Sequence, residues 1–115
     1  MSVLNKTYLE KLYSNINDLE NIDLSNKNIN KIDYNTFKDL KKIKNINLSN
    51  NLIESLDPIL FKDLFFLEAI DLSNNKLKNI IPGLFHGLPH LKNINLKNNN
   101  NLLLEKFNKN INFDL

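Results

Sequence analysis

One apolar register recurs along this chain every 24 residues: Leu19, Ile43, Leu67 and Leu91 share it, as do Ile22, Ile46, Ile70 and Ile94, and again Leu24, Leu48, Leu72 and Leu96. Three columns in one phase mean a single structural unit copied several times, each copy burying its apolar face against the next. Counted from Leu19, the units are 19–42, 43–66 and 67–90, with a partial unit at 91–98. Residues 1–18 and 99–115 lie outside the repeat, and both are expected to act as caps, because a stack of repeats leaves its core open at each end.

Inside a unit the pattern changes character. The third to sixth positions alternate, as in Asn45-Ile46-Asn47-Leu48, which predicts a strand with one buried face. The alternation then stops, and pairs such as Asp57-Pro58 and Pro82-Gly83 favour turns over a long helix. Apolar residues return late in each unit as Phe37/Leu40, Phe61/Leu64 and Phe85/Leu88. One short strand per unit, stacked on the next, predicts a solenoid of α/β class with a parallel sheet on one face and loops on the other.

Asn51, Asn75 and Asn99 fall at the ninth position, where each strand ends and the chain turns inward. A carboxamide both donates and accepts, so it can satisfy backbone groups taken out of water there. Lys27 holds this place in the first unit and has no acceptor, which predicts an incomplete ladder at the first rung. At the amino-terminal end, Thr7-Tyr8-Leu9-Glu10 has the form of a capping box, and Leu9, Leu12, Tyr13 and Ile16 follow at helical spacing, predicting a short helix over 8–17. At the other end Asn101 replaces an apolar position, and the spacing of Leu103, Leu104, Phe107 and Ile111 suits another short amphipathic segment.

The segment LEAIDLSNNKL, Leu67 to Leu77, has the LxxLxLxxNxL form, and on this motif the chain resembles the leucine-rich repeat family over about residues 19 to 99. The continuation Ile80-Ile81-Pro82-Gly83-Leu84-Phe85-His86-Gly87-Leu88 is similar to the 24-residue subclass found in the ectodomains of Toll-like and variable lymphocyte receptors. The resemblance implies a curved right-handed coil with the strands on its concave face, used mostly to bind proteins and not to catalyse. Those ectodomains usually close their ends with disulfide-bonded caps, whereas this chain has no Cys.

If the strands line a concave face, the outward residues are the candidate protein-binding set. They are Glu20, Asn21 and Asp23, then Lys44, Asn45 and Asn47, then Glu68 and Asp71, then Lys92, Asn93 and Asn95, with the serines and asparagines after each strand, such as Ser49, Asn50 and Ser73, beside them. The second position alternates Glu20, Lys44, Glu68, Lys92, so neighbouring rungs attract. This face holds no aromatic residue and no Arg, the usual anchors of tight interfaces, so binding there is expected to be polar and wet. Phe65 and Phe66 form an alternative contact patch, either packed between rungs or exposed. The run Lys38-Asp39-Leu40-Lys41-Lys42-Ile43-Lys44 is the densest positive stretch and suits an acidic partner.

Composition narrows the remaining classes. With 115 residues there is room for one domain. The absence of Cys rules out disulfides and Cys-based zinc sites, and together with a start that lacks a long apolar leader it predicts a cytoplasmic location. A net charge of +2 with every one of the 15 basic residues a Lys does not suggest nucleic acid, and no apolar run is long enough to cross a membrane. Asn makes up about a fifth of the chain, and Lys, Asn and Ile share AT-rich codons, which points to an AT-rich genome, viral or eukaryotic.

No constellation suggests chemistry. His86 and His90 are separated by Gly87 and Pro89, which argue against a shared helix face, and no third ligand is near. Asp23 and Asp71, two strands apart, would lie roughly 10 Å from one another in a solvated column, slightly beyond the separation of an inverting glycosidase pair. No cofactor or metal is implied. The expectation is a monomeric, non-enzymatic module that binds a partner protein through its concave face; the alternative is a secreted or virus-encoded recognition module or decoy, a reading for which the sequons Asn5-Lys6-Thr7 and Asn47-Leu48-Ser49 are relevant.

Overall fold

A computed structural model describes residues 2–100, 102–104 and 111–115. In chain order its elements are β1 (Val3–Leu4), α1 (Lys6–Leu12), β2 (Asn21–Asp23), β3 (Lys31–Ile32), β4 (Asn45–Asn47), β5 (Ala69–Asp71), β6 (Asn79–Ile80), β7 (Asn93–Asn95), β8 (Leu103–Leu104) and β9 (Asn112–Asp114). Short 3₁₀ turns add Ile16–Asp18 and Pro82–Phe85.

The alternating segments become the main sheet, in the order β2-β4-β5-β7-β9, all parallel. Ile22, Ile46, Ile70 and Ile94 stand in register across four strands and are buried, while their neighbours point the other way. Two smaller, separate parallel sheets pair β1 with β3 and β6 with β8.

The predicted columns meet in one core that runs from Leu4 and Leu9 to Leu96. The late column forms an aromatic spine: Phe37 stacks on Phe61 at 6.1 Å between centroids, Phe61 on Phe85 at 6.3 Å, and Phe113 meets Phe85 edge-on at 6.1 Å. A further buried column was not anticipated. Thr36, Leu60 and Leu84 share it, and the Thr36 hydroxyl is satisfied by donating to the Asp33 carbonyl at 2.7 Å.

The asparagine ladder is present, and each member serves two rungs. Asn75 donates to the carbonyls of Leu72 at 3.1 Å and Ser73 at 3.2 Å in its own rung and to Leu48 at 3.0 Å in the preceding one, while its oxygen accepts from the Ile53 N–H at 3.1 Å. Asn51 and Asn99 repeat the arrangement. This corrects the expectation for Lys27. A ladder side chain reaches back one rung, so the first rung is served by Asn51, whose oxygen accepts from the Lys27 and Ile29 N–H groups at 3.0 Å and whose nitrogen donates to the Leu24 carbonyl at 2.9 Å. The first rung therefore needs no asparagine of its own.

The asparagines one position earlier have a different role. Asn26, Asn50, Asn74 and Asn98 all have positive φ, between 56° and 60°. This left-handed conformation strains most L-residues but is tolerated by Asn, whose short polar side chain bonds locally. It turns the chain after β2, β4, β5 and β7. Asp39, Asp63 and Gly87 supply the same handedness later in the unit, at φ 67°, 65° and 73°.

Both ends differ from expectation. The first helix is α1, starting earlier than the predicted 8–17, because Asn5 and not Thr7 is its cap: the Asn5 side chain accepts from the Tyr8 N–H at 2.9 Å. Leu9 is buried as expected, but Leu12 is 41% exposed. At the other end, of the anticipated amphipathic segment only 102–104 and the residues from 111 onward are described, and 103–104 form a strand. Leu103 and Leu104 pair with Asn79 and Ile80, and β9 joins the main sheet as a fifth strand, Asn112 opposite Asn93, after 19 residues instead of 24. The shortened spacing hides this strand from a search for the repeat. Phe107 and Asn101 lie outside the described residues.

Candidate protein-binding face

The five strands of the main sheet present a shallow trough of about 430 Å³ on the side away from the core. Its walls are the third and fifth positions of successive units, so Asn21, Asp23, Asn45, Asn47, Asp71, Asn93 and Asn95 come together there as predicted. Glu20, Lys44, Glu68 and Lys92 do not line the trough and stand beside it. Among them Lys44 pairs with Glu20 at 3.1 Å, and the Glu20 carboxylate holds the Lys44 ammonium above its ordinary pKa. Both groups are solvated, so the pair contributes little to stability.

The third-position column is a ladder of amides with one gap. Asn45 donates to the Asn21 side chain at 2.7 Å, and Asn112 to Asn93 at 3.3 Å. Ala69 sits between these pairs and leaves a small apolar notch at the middle strand.

The fifth-position column is committed locally. One side-chain oxygen of Asp23 accepts from the Ser25 N–H at 3.0 Å and the Ser25 hydroxyl at 2.7 Å. Asn47 holds Ser49, and Asp71 holds Ser73, with the same two distances. Asn95 likewise accepts from the Lys97 N–H at 3.0 Å. Only an acceptor oxygen is required, which explains why Asp and Asn interchange here. These turns fold Ser49 and Ser73 inward to burial, correcting their expected place on the open face.

The two Ser25 hydrogen bonds hold the Asp23 carboxyl below the usual carboxylate range. A depressed folded-state pKa contributes stability that is present above the unfolded value and is lost as pH falls through the folded one. Asp23→Asn is therefore expected to leave neutral-pH stability nearly unchanged, since Asn47 already does this work, and to flatten the acid limb. Urea midpoints measured from neutral pH down through the carboxylate range check this. A variant as acid-sensitive as wild type would remove Asp23 from the account, with Asp18, whose carboxyl is lowered by Lys42 at 2.8 Å, as the remaining contributor.

Two contributions to this face were missed. Tyr13, assigned to a capping helix, lies in the trough, and its hydroxyl accepts from the Asp23 N–H at 3.0 Å and donates to the Asp23 carbonyl at 3.4 Å. It takes two of the backbone groups that a preceding strand would have used, so the edge of β2 is partly blunted by one side chain. Asp114 of β9 adds a carboxylate at the opposite end of the trough. The run Asn112-Phe113-Asp114-Leu115, an echo of Asn21-Ile22-Asp23-Leu24, is the signal that could have revealed it.

The aromatic pair is exposed, Phe65 at 50% and Phe66 at 53%, and Phe66 also stacks on His90 of the next rung at 5.9 Å. His86 and His90 are both exposed. Among the described residues no group of three or more His, Cys, Asp or Glu side chains is placed to hold a metal, and no helix is long and apolar enough to cross a membrane.

A family profile described as leucine rich repeat matches residues 17–64 and 43–102. Among solved structures the chain is similar to one from the Drosophila Toll–Spatzle complex, with 28% identity and a TM-score of 0.80 over all of this chain. The chain spans only 16% of the length of that one. Comparison with curated proteins gives no match. The 24-residue register, the parallel strands it builds, the two-rung asparagine ladder and the profile match over most of the sequence together place this chain in the leucine-rich repeat family.

Proposed function

We propose that the chain is a non-enzymatic binding module that takes a partner protein in the trough formed by its main sheet. The observation that carries this is the trough itself: a continuous surface over five strands, edged by amide and carboxylate side chains, with an apolar floor that includes a notch at Ala69. The family is used mainly for protein binding, and the likeness to a Toll–Spatzle complex supports a protein ligand. A segment with one small apolar group over Ala69 and polar groups facing the flanking amides fits this surface. The interface is polar, so moderate affinity is expected. We propose further that the module is a monomer and that it works in the cytoplasm, a reducing compartment that a chain without Cys fits.

The test is affinity capture with mass spectrometry, comparing wild type with Ala69→Arg/Asn93→Arg. These positions are preferable to Asp23 and Asp71, whose oxygens hold the strand ends. A protein enriched by wild type and lost with the variant, circular dichroism being unchanged, supports the trough. A protein retained by both would overturn it. Glycan found on Asn5 in protein from its natural source would instead favour the secreted recognition module.

A further inference from the structure

A second surface lies away from the sheet, between the return loops of the first two rungs. There a groove of about 380 Å³ has Tyr34, Ile59 and Phe65 on its walls, 55%, 49% and 50% exposed. Lys38, Lys41 and Lys62 line the same groove. Among the described residues none of the three has a carboxylate within ion-pair distance, whereas neighbouring Lys42 and Lys44 are held by Asp18 and Glu20. Exposed apolar walls beside unpaired cations are open to a partner that brings both an apolar side chain and negative charge.

The groove belongs to these two rungs alone. In the third unit the places of Lys62, Phe65 and Ile59 are taken by His86, Pro89 and Gly83. The repeat fold does not need the lysines or the aromatic wall, since the third rung closes without them. Asp39 and Asp63 also border the groove, but at φ 67° and 65° they occupy the left-handed position that Gly87 fills in the next unit, so backbone geometry accounts for them.

We infer that this groove is a docking site for an acidic peptide segment carrying an apolar anchor, distinct from the trough on the sheet. The anchor enters between Tyr34, Ile59 and Phe65, and flanking carboxylates meet Lys38, Lys41 and Lys62. An anionic membrane fits less well. The site is concave and accepts a side chain, which a flat lipid surface does not supply.

The test uses the full chain and labelled synthetic peptides by fluorescence anisotropy: Glu-Glu-Leu-Phe-Glu-Glu, its Gln analogue Gln-Gln-Leu-Phe-Gln-Gln, and Glu-Glu-Gly-Ser-Glu-Glu, which lacks the anchor. The expected result is saturable binding of the first alone, weakening with salt. Lys38→Glu/Lys62→Glu should weaken it about tenfold or more, each reversal replacing an attraction by a repulsion. Ile59→Ser should weaken it about as much, while Ala69→Arg should leave it unchanged. Both groove substitutions fall at exposed positions, and circular dichroism confirms folding. No saturable binding, equal binding of the Gln analogue, or binding unaltered in the charge-reversed variant would overturn the proposal. So would vesicles of anionic lipid competing the peptide away, or self-association in sedimentation that the groove substitutions abolish.

Discussion

Phe61→Ala should be the most damaging single substitution in the chain, costing about 3–5 kcal/mol as expected for a large aromatic side chain removed from a core. Phe61 is fully buried and is the middle ring of the spine, stacked on Phe37 and on Phe85. Its loss removes contacts with two rungs and leaves a cavity that neither neighbour can fill, because both rings are fixed by their own rungs. A typical domain has about 5–15 kcal/mol of stability, so this is a large share. In a stack where each unit touches only its neighbours, weakening the centre also weakens the coupling between the ends. Urea unfolding should therefore show a lower midpoint, and a smaller slope if the two halves begin to separate. Phe61→Leu keeps most of the apolar volume and should cost much less. Phe66→Ala is the control, because its half-exposed ring stacks only on His90. A Phe61→Ala protein as stable as Phe66→Ala would show that the spine does not hold the rungs together.

Asn75→Ala is the second. Asn75 is 7% exposed and makes four hydrogen bonds to backbone, joining the second and third rungs where each turns inward. Alanine has no polar side-chain group, so the Ile53 N–H and the Leu48, Leu72 and Ser73 carbonyls lose a partner in a place that water reaches poorly. The three carbonyls keep a second donor, Asn51 for Leu48, Asn99 for Leu72 and the Asn50 N–H for Ser73, so the Ile53 N–H is the group left unpaired and the expected total is about 1–3 kcal/mol. Asn75→Asp is the informative companion. A carboxylate still accepts from the Ile53 N–H but faces three carbonyls with no donor, so it should be destabilising at neutral pH as well. Asn74→Ala, one residue earlier, tests a different mechanism: its penalty comes from the left-handed backbone at φ 56° and not from lost inter-rung bonds. Hydrogen exchange separates the two cases. Asn75→Ala should expose the Ile53 amide, and an Ile53 amide still protected as in wild type would count against the ladder.

Much of this molecule is readable because it is repeated. Ile22, Ile46, Ile70 and Ile94 occupy equivalent surroundings, so a requirement met at one rung must be met at the others, and the pattern reports it several times over. The strand positions, the buried columns, the inward asparagines and the family all follow from that redundancy. So does the set of residues on the open face, since alternation alone assigns sides in a strand.

What repetition leaves ambiguous is the use to which an outward polar residue is put. Asp23 and Asn47 look like a binding column, but each holds the serine two residues later, a local bond that depends on backbone direction after the strand. The codon bias behind so many asparagines conceals the same distinction, because Asn50 is set by φ, Asn51 by the ladder and Asn45 by a solvent-facing amide pair, all with one side chain.

The ends are where local sequence falls short. Tyr13 closes the edge of β2 with no equivalent elsewhere in the chain, and β9 adds a rung after 19 residues, out of phase with the 24-residue register that disclosed the other strands. The groove of Tyr34, Ile59 and Phe65 is likewise assembled from two units that differ at those positions. A periodic sequence specifies the interior of a stack, because identical neighbours impose identical demands. Its boundaries and its unrepeated surfaces arise from contacts between residues far apart in the chain, and those exist only once the coil has closed.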